Sequence, residues 1–337
     1  MGRSVIGYVL RRLGYAVLVV WVAYTATFLL LFALPSDPVA IMMASAGGET
    51  ASASDPAAEA ALREQLGLDR PLPLQYLHAL AGVATGDLGT SATTGRPVLE
   101  EITDALPSTI ALGLAGLVAA LVVGGLLTAL LTAVHAPWLQ RLTAAVPTLI
   151  TSFPVFWIAL LLLQLFAFRL GWFPPFGDRG AASLVLPAIT LGIPTGALYA
   201  HVLGGSIRKV SLRSYVGTAL DKGLSLGEVL RRHVLRNAVI PVFTIFALSV
   251  GDILAGAVVT ETIFNRPGVG KVLQQAVDQQ NFPVVQGLVL FFAVSFALVN
   301  LAADLVYPLI DPQITGVIRP RRPSTAVPST GAQEARA

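Results

Sequence analysis

The residues able to do chemistry in this chain are few, and they fall in three places. Asp252 is an ionisable residue set inside an apolar run, an expensive position that points to function by default. Ser225 and Glu228 stand in S-x-x-E spacing within the charged stretch YVGTALDKGLSLGEVLRRHVLRNAVIP, Tyr215 to Pro241. The string RPGVGKV ends in Gly270-Lys271 and invites comparison with a phosphate-binding loop. That comparison fails, because the first glycine of G-x-x-x-x-G-K would fall on Asn265 and Val272 stands where Ser or Thr is needed. There is no H-E-x-x-H, no G-x-S-x-G and no cysteine, so neither a zinc protease, a serine hydrolase nor a thiol enzyme is indicated.

The elements that must position these residues follow from composition. Of 337 residues, 55% are hydrophobic and 12% charged. A soluble domain carries about 25% charged residues, so this chain lacks the polar surface to face water and takes the bilayer as its solvent. A crossing helix needs about 20 apolar residues. Six runs qualify: 13–34, 105–134, 142–168, 181–207, 237–262 and 282–309. The division that follows is an N-terminal segment 1–12, the first helix 13–34, an external loop 35–104, a five-helix core 105–318 and a disordered tail 319–337. The first run outlasts a signal-peptide core, and the tripeptide Ala44-Ser45-Ala46 lies well past its end, so we read it as a retained anchor.

Fifteen of the 22 Lys and Arg residues lie in 1–12, 135–141, 208–236 and the C-terminal tail. By the positive-inside rule those segments, both termini included, face the cytoplasm. The loop 35–104 opens with a Gly/Ala/Ser-rich stretch from Ala44 to Ala58, has helical character over Pro56–Leu66, and continues through LGLDRPLPLQY and GDLGTS, both rich in turn residues.

Within 208–237, Tyr215 to Lys222 suffices for two helical turns, and Gly223 permits a left-handed residue that ends them. Ser225 and Glu228 fit a capping box that opens a second helix. In that helix Leu226, Val229, Leu230 and Val234 form an apolar face opposite Arg231, Arg232 and Arg236. A basic loop that binds anionic lipid heads needs only the positive charge. The glycine break, the cap and the small residues Gly217, Thr218 and Ala219 fit instead a rigid knob that docks into a cytoplasmic protein.

Here the residues reach a known family. The stretch resembles the cytoplasmic EAA loop of permease subunits in bacterial ABC importers, the dipeptide/oligopeptide/nickel branch. Tyr215, Val216, Thr218, Ala219, Lys222, Gly223, Leu224, His233, Leu235, Arg236, Asn237, Ile240 and Pro241 carry the resemblance, while Gly217 and Asp221 depart from it. YVLRRLGYAVLVVWVAYTATFLLLFALPSDP, LGLDRPLPLQY, GDLGTS, GRPV, GAVVTETIFNRPGVG and LVNLAADLVYPLIDP extend the resemblance over nearly the whole chain.

The resemblance implies an all-α protein of six transmembrane helices in the bacterial inner membrane, a transport subunit rather than an enzyme. It implies a homologous second permease, two ATPase subunits holding ATP and Mg, and an extracytoplasmic solute-binding protein. Lipid is the remaining partner; no nucleic acid is expected, and this chain holds no cofactor or metal of its own. Coupling to the ATPase would fall to Tyr215, Thr218, Ala219, Lys222, Gly223, Leu224, Ser225, Glu228, His233, Arg236, Asn237 and Pro241. Di- or oligopeptides are the expected cargo, with nickel or other small solutes as the alternative. A stand-alone secondary transporter and a membrane scaffold are readings from other classes. The polar residues within spans, Asp252, Gln164, Tyr199 and Asn300, are candidates for the pathway, and equally for contacts between helices. Similar permeases more often carry glycine at the position of Asp252. His201 and Asp304 are read as helix-pairing groups, and Gly192 and Gly196 as a close helix contact. Pro147, Pro154, Pro187, Pro194 and Pro241 suit helices that bend.

Overall fold

A computed structural model describes residues 2–33, 39, 60, 69–133 and 137–310. Twelve helices are used below, in chain order. They are α1 (Gly2–Ala33), α2 (Leu72–Thr85), α3 (Val98–Ala133), α4 (Pro137–Ser152), α5 (Val155–Leu162), α6 (Ala182–Ser211), α7 (Ser214–Asp221), α8 (Leu226–Val229), α9 (Leu235–Ala238), α10 (Ile240–Ile263), α11 (Val269–Asp278) and α12 (Phe282–Ile310). Among the described residues only an isolated bridge, Thr90 to Pro97, is β-like. Helices α1, α3, α6, α10 and α12 are long and apolar enough to cross a membrane. Helices α4 and α5, bent by 92° at Ser152–Val155, bring the candidate crossings to six when the pair is taken as one span. The all-α, multi-span expectation therefore holds. The segment 56–66 and the tail 319–337 lie outside the described residues, apart from Ala60.

The bend has a local cause. Pro154 has no N–H to continue α4, and it disfavours helical geometry at Phe153. Thr151 and Ser152 donate their hydroxyls back to the Thr148 carbonyl at 3.0 and 2.8 Å, and the Ile150 carbonyl, which Pro154 cannot serve, takes the Phe153 N–H at 3.2 Å. Phe153 stacks on Trp157 across the break, with ring centroids 5.1 Å apart. Of the prolines expected to bend helices, only Pro154 sits at a break. Pro147, Pro187 and Pro194 are inside helices, and Pro241 occupies the first turn of α10, where its missing N–H costs nothing.

Helices α3 and α6 form the most extensive contact in the bundle. A Cβ added at Gly192 would lie 2.5 Å from Ala119 Cβ, and one at Gly196 2.7 Å from the Ala120 carbonyl oxygen. A Cβ at Gly116 or Gly124 on α3 would lie 3.2 Å from Leu191 Cβ or 3.0 Å from the Gly196 carbonyl oxygen. In lipid, where apolar tails offer helices no hydrophobic reason to associate, such close approach supplies the van der Waals contact that holds them. Helix α1 lies against α12 with most of its surface exposed, and the Thr25 hydroxyl meets the Tyr76 hydroxyl at 2.7 Å to tie α1 to α2.

Two sequence expectations are corrected, and one segment between spans gains a helix. PLPLQY belongs to helix α2 rather than to a turn, because Pro73 falls in the first turn, where proline is preorganised for a helix. Helix α3 starts at Val98, seven residues before the apolar run, with Glu100 and Glu101 in the first turn where the helix dipole favours them. The loop 263–281 contains helix α11, whose Val269, Val272, Leu273 and Ala276 recur at helical spacing against α3 and α12.

Candidate functional site

The segment 212–239 folds as a compact knob at one end of the bundle. Helix α7 is closed by Gly223 at φ +82°. The Leu224 N–H donates to the Ala219 carbonyl at 3.3 Å and the Gly223 N–H to that of Leu220 at 2.9 Å, the paired bonds of a Schellman ending. Leu224 then turns into the knob's apolar centre, which Val216 and Ala219 of α7 share with Val229, Val234 and Ala238 and with Ile207 of α6. Ser225 caps α8, its hydroxyl accepting the Glu228 N–H at 3.4 Å. Only this half of the expected capping box forms. The Glu228 carboxylate turns forward to Arg232 at 2.9 Å, because an arginine one turn on offers a charge partner. From Leu226 the chain is helical through the π-turn Leu230–Val234 and α9, and the turn residue Val239 then leads into α10. The Asn237 amide donates to the His233 carbonyl at 2.8 Å and to the Tyr215 hydroxyl at 3.2 Å, bridging α9 to α7.

Tyr215, Thr218, Lys222, Gly223, Ser225, Arg236 and Asn237 lie on the knob's exposed surface, with Glu228 and His233 partly covered. Ala219 is buried and Leu224 is packed against the same centre. Leu226, expected on the apolar face, is 78% exposed, since it is the first residue of α8 and precedes the turn that packs. Leu212 and Tyr215 are exposed too, so the knob presents apolar as well as basic surface, the latter from Arg231, Arg232 and Arg236.

The bundle interior holds the other polar candidates. Tyr199 of α6 is buried at 2% exposure, its ring tilted against Phe246 of α10. Its hydroxyl faces Ser249 and lies within electrostatic reach of Asp252, yet has no hydrogen-bond partner. Asp252 is exposed on the subunit surface, on the thirteenth residue of α10. Gln164 lies apart from this pair. It lines an apolar groove of about 430 Å³ with Trp157, Leu160, Leu161, Phe168, Phe176 and Ile263. Asn300 donates to the Phe296 carbonyl of its own helix at 2.9 Å. His201 is exposed rather than set between helices. The Asp304 side chain is outside the described residues. Among the described residues no group of three His, Asp or Glu could hold a metal.

A second polar centre, at the end of the bundle away from the knob, was not read from the sequence. Glu261 of α10 is fully buried. Its carboxyl accepts the Thr109 hydroxyl at 2.7 Å and the Gly270 N–H at 2.8 Å, while the Val269 N–H donates to Thr109 Oγ1 at 2.8 Å. Glu261 thus serves as the cap of α11, whose own capping residue, Gly268, has no side chain. A Cβ at Gly268 would sit 2.1 Å from the Glu261 carboxyl carbon. Arg266, 5% exposed, reaches the Gly177 and Ser183 carbonyls at 3.3 and 3.4 Å and the Ser108 hydroxyl at 3.3 Å. Burial pulls the guanidinium pKa down, and Asp178 and Glu261 oppose that pull. This centre joins α3, α6, α10 and α11. Glu261 sits at the end of an apolar run, the one available signal, as an ionisable residue in a span.

The chain matches two family descriptions. Residues 121–316 match the "binding-protein-dependent transport system inner membrane component" and residues 5–113 its N-terminal counterpart. Among curated relatives, the glutathione transport system permease protein GsiC of Salmonella typhimurium is 36% identical over 309 residues, covering 92% of this chain and 99% of the relative. The protein of the same name from Escherichia coli K12 is 35% identical over 310 residues, with the same coverage. Among solved structures, an inward-facing conformation of the MetNI methionine ABC transporter aligns with a TM-score of 0.51 at 12% identity, over 63% of this chain and 96% of that chain. At that identity the likeness concerns the fold.

Proposed function

Because this chain belongs to the family of binding-protein-dependent transport system inner membrane components, and is a multi-pass inner-membrane permease subunit of an ABC importer rather than an enzyme, we propose that it forms half of a pathway for di- or oligopeptides and is driven through the knob at 212–239. Family membership sets aside the stand-alone transporter and scaffold readings. The observation that carries the drive is the knob's construction. Its centre includes Ile207 of α6, and a single residue, Val239, separates its second half from α10. A force applied to the exposed surface around Tyr215, Leu226 and Arg236 therefore acts on two crossing helices together. The apolar and basic surface beside it suits an ATPase subunit as partner, with ATP and Mg held there. A homologous second permease completes the pathway, and a solute-binding protein delivers cargo at the far end. The peptide reading draws support from relatives named for the transport of glutathione, itself a peptide.

The test is Gly223→Val. No atom lies within 4 Å of an added Cβ, so the change acts through the positive φ alone and disturbs the break without crowding the centre. The expected complex inserts and assembles, but its ATPase activity no longer rises with cargo and uptake falls by about tenfold or more. Normal cargo-stimulated ATPase activity with normal uptake would remove the docking role. Uptake in a strain lacking this chain, comparing di- and tripeptides with nickel, tests the cargo.

A further inference from the structure

We propose that Asp252 is a cation-binding point of the translocation pathway, placed to take the ammonium group of a passing cargo molecule. The proposal rests on the permease reading above and adds a ligand class to it. Asp252 lies about 18 Å along α10, near the middle of the helix. It has no hydrogen bond or ion pair among the described residues. With Leu248, Ala255 and Val259 it forms one open stripe along α10, and Ile263 continues that stripe into the groove that holds Gln164 and Trp157. An ionisable group at such depth is costly against lipid and faces a bundle interior or a watered cavity.

Tyr199 supplies the independent observation. Its hydroxyl is buried and directed toward Ser249 and the side of Asp252, and it is without a partner. Ser249 gives its own proton to the Ile245 carbonyl at 2.8 Å, so it does not donate to the phenol. The exposed Asp252 carboxylate oxygens can accept from an ammonium, whose donors radiate from a compact charge, and the buried phenol behind them, out of cargo's reach, gives them no competing hydrogen bond. They are too few for a hard metal ion, which takes six or more oxygens or keeps its waters, and no third acidic or histidine ligand stands with them among the described residues.

The chain has no cysteine, so Ala255→Cys places a single reporter on the same stripe. The assembled complex in membranes is treated with two permanently charged thiol reagents, a methanethiosulfonate carrying trimethylammonium and one carrying sulfonate. Modification of this chain is read by mass spectrometry and normalised to each reagent's rate with a free thiol. The cationic reagent is expected to react about tenfold faster, and addition of Asp252→Asn to bring the two rates together. Equal rates with Asp252 present, no reaction with either reagent, or a preference that survives Asp252→Asn would each overturn the proposal. Uptake gives the second reading. Asp252→Asn is expected to slow import of trialanine by about tenfold and to leave N-acetyl-trialanine unchanged; equal loss of both, or no change in either, counts against it. If the unaltered complex imports neither peptide, the peptide reading of function fails, while the reagent ratio still decides the role of Asp252.

Discussion

At Gly268 the absence of one carbon decides how a helix begins. The Glu261 carboxyl occupies the space that a Cβ would fill, and from there it accepts the Gly270 N–H in the first turn of α11. Alanine at 268 must push that carboxyl aside, leaving buried donors and the carboxyl itself without partners. The loss is on the order of 2–4 kcal/mol, at about 1–3 kcal/mol for each buried group left unpaired. Gly125→Ala is the control, since a Cβ there meets nothing within 4 Å. Thermal unfolding of the purified protein in detergent is expected to separate the two, with Gly268→Ala melting well below the unaltered chain and Gly125→Ala beside it. Equal melting of both variants would mean that the cap is not held by Glu261.

Between elements, backbone proximity rather than side-chain polarity sets the contact of α3 with α6. Gly196→Ala would place its Cβ 2.7–2.9 Å from backbone atoms of Ala120 and Gly124, which cannot rotate away. The helices must separate, at a cost of about 1–3 kcal/mol by analogy with overpacked cores. Gly204→Ala, on the same helix with open space around it, is expected to be neutral, and a shift of the monodisperse peak to aggregate on mild heating distinguishes the pair. This contact was legible as Gly192-x-x-x-Gly196, as were the apolar runs and the Gly223 break, because each is written in consecutive residues. Helix α2 and the start of α3 were hidden for the opposite reason. Their residues look like turn formers or loop charges until a first-turn proline or a helix dipole gives them a role. The Glu261 centre draws on residues 108, 109, 177, 183, 261, 266, 269 and 270. No pattern along the chain brings those together. The tertiary fold does, and with it the reason Arg266 and Gly268 are needed. Tyr199 and Asp252 were singled out separately for being polar, and only the packing of α6 on α10 made them neighbours.

Across the whole molecule, α6 and α10 are joined twice: at one end by the knob, at the other by Arg266 and Glu261 through Ser183 and the start of α11. In the coupling proposed above such a pair would tilt as one body, and the side of the membrane on which the knob lies decides which end is driven. Seven of the 22 Lys and Arg residues fall in 208–236 alone, and moving that density across a bilayer opposes the positive-inside bias. Leu226 and Val277 report the two ends, at 78% and 54% exposure, and in a chain without cysteine each can be labelled singly. In right-side-out membrane vesicles, an impermeant thiol reagent is expected to modify the Val277→Cys chain and spare the Leu226→Cys chain. Inverted vesicles should reverse the pattern. The opposite result would put the knob outside, beyond the reach of any cytoplasmic ATPase, and the tilting pair would then have no motor, whatever the quality of its joints.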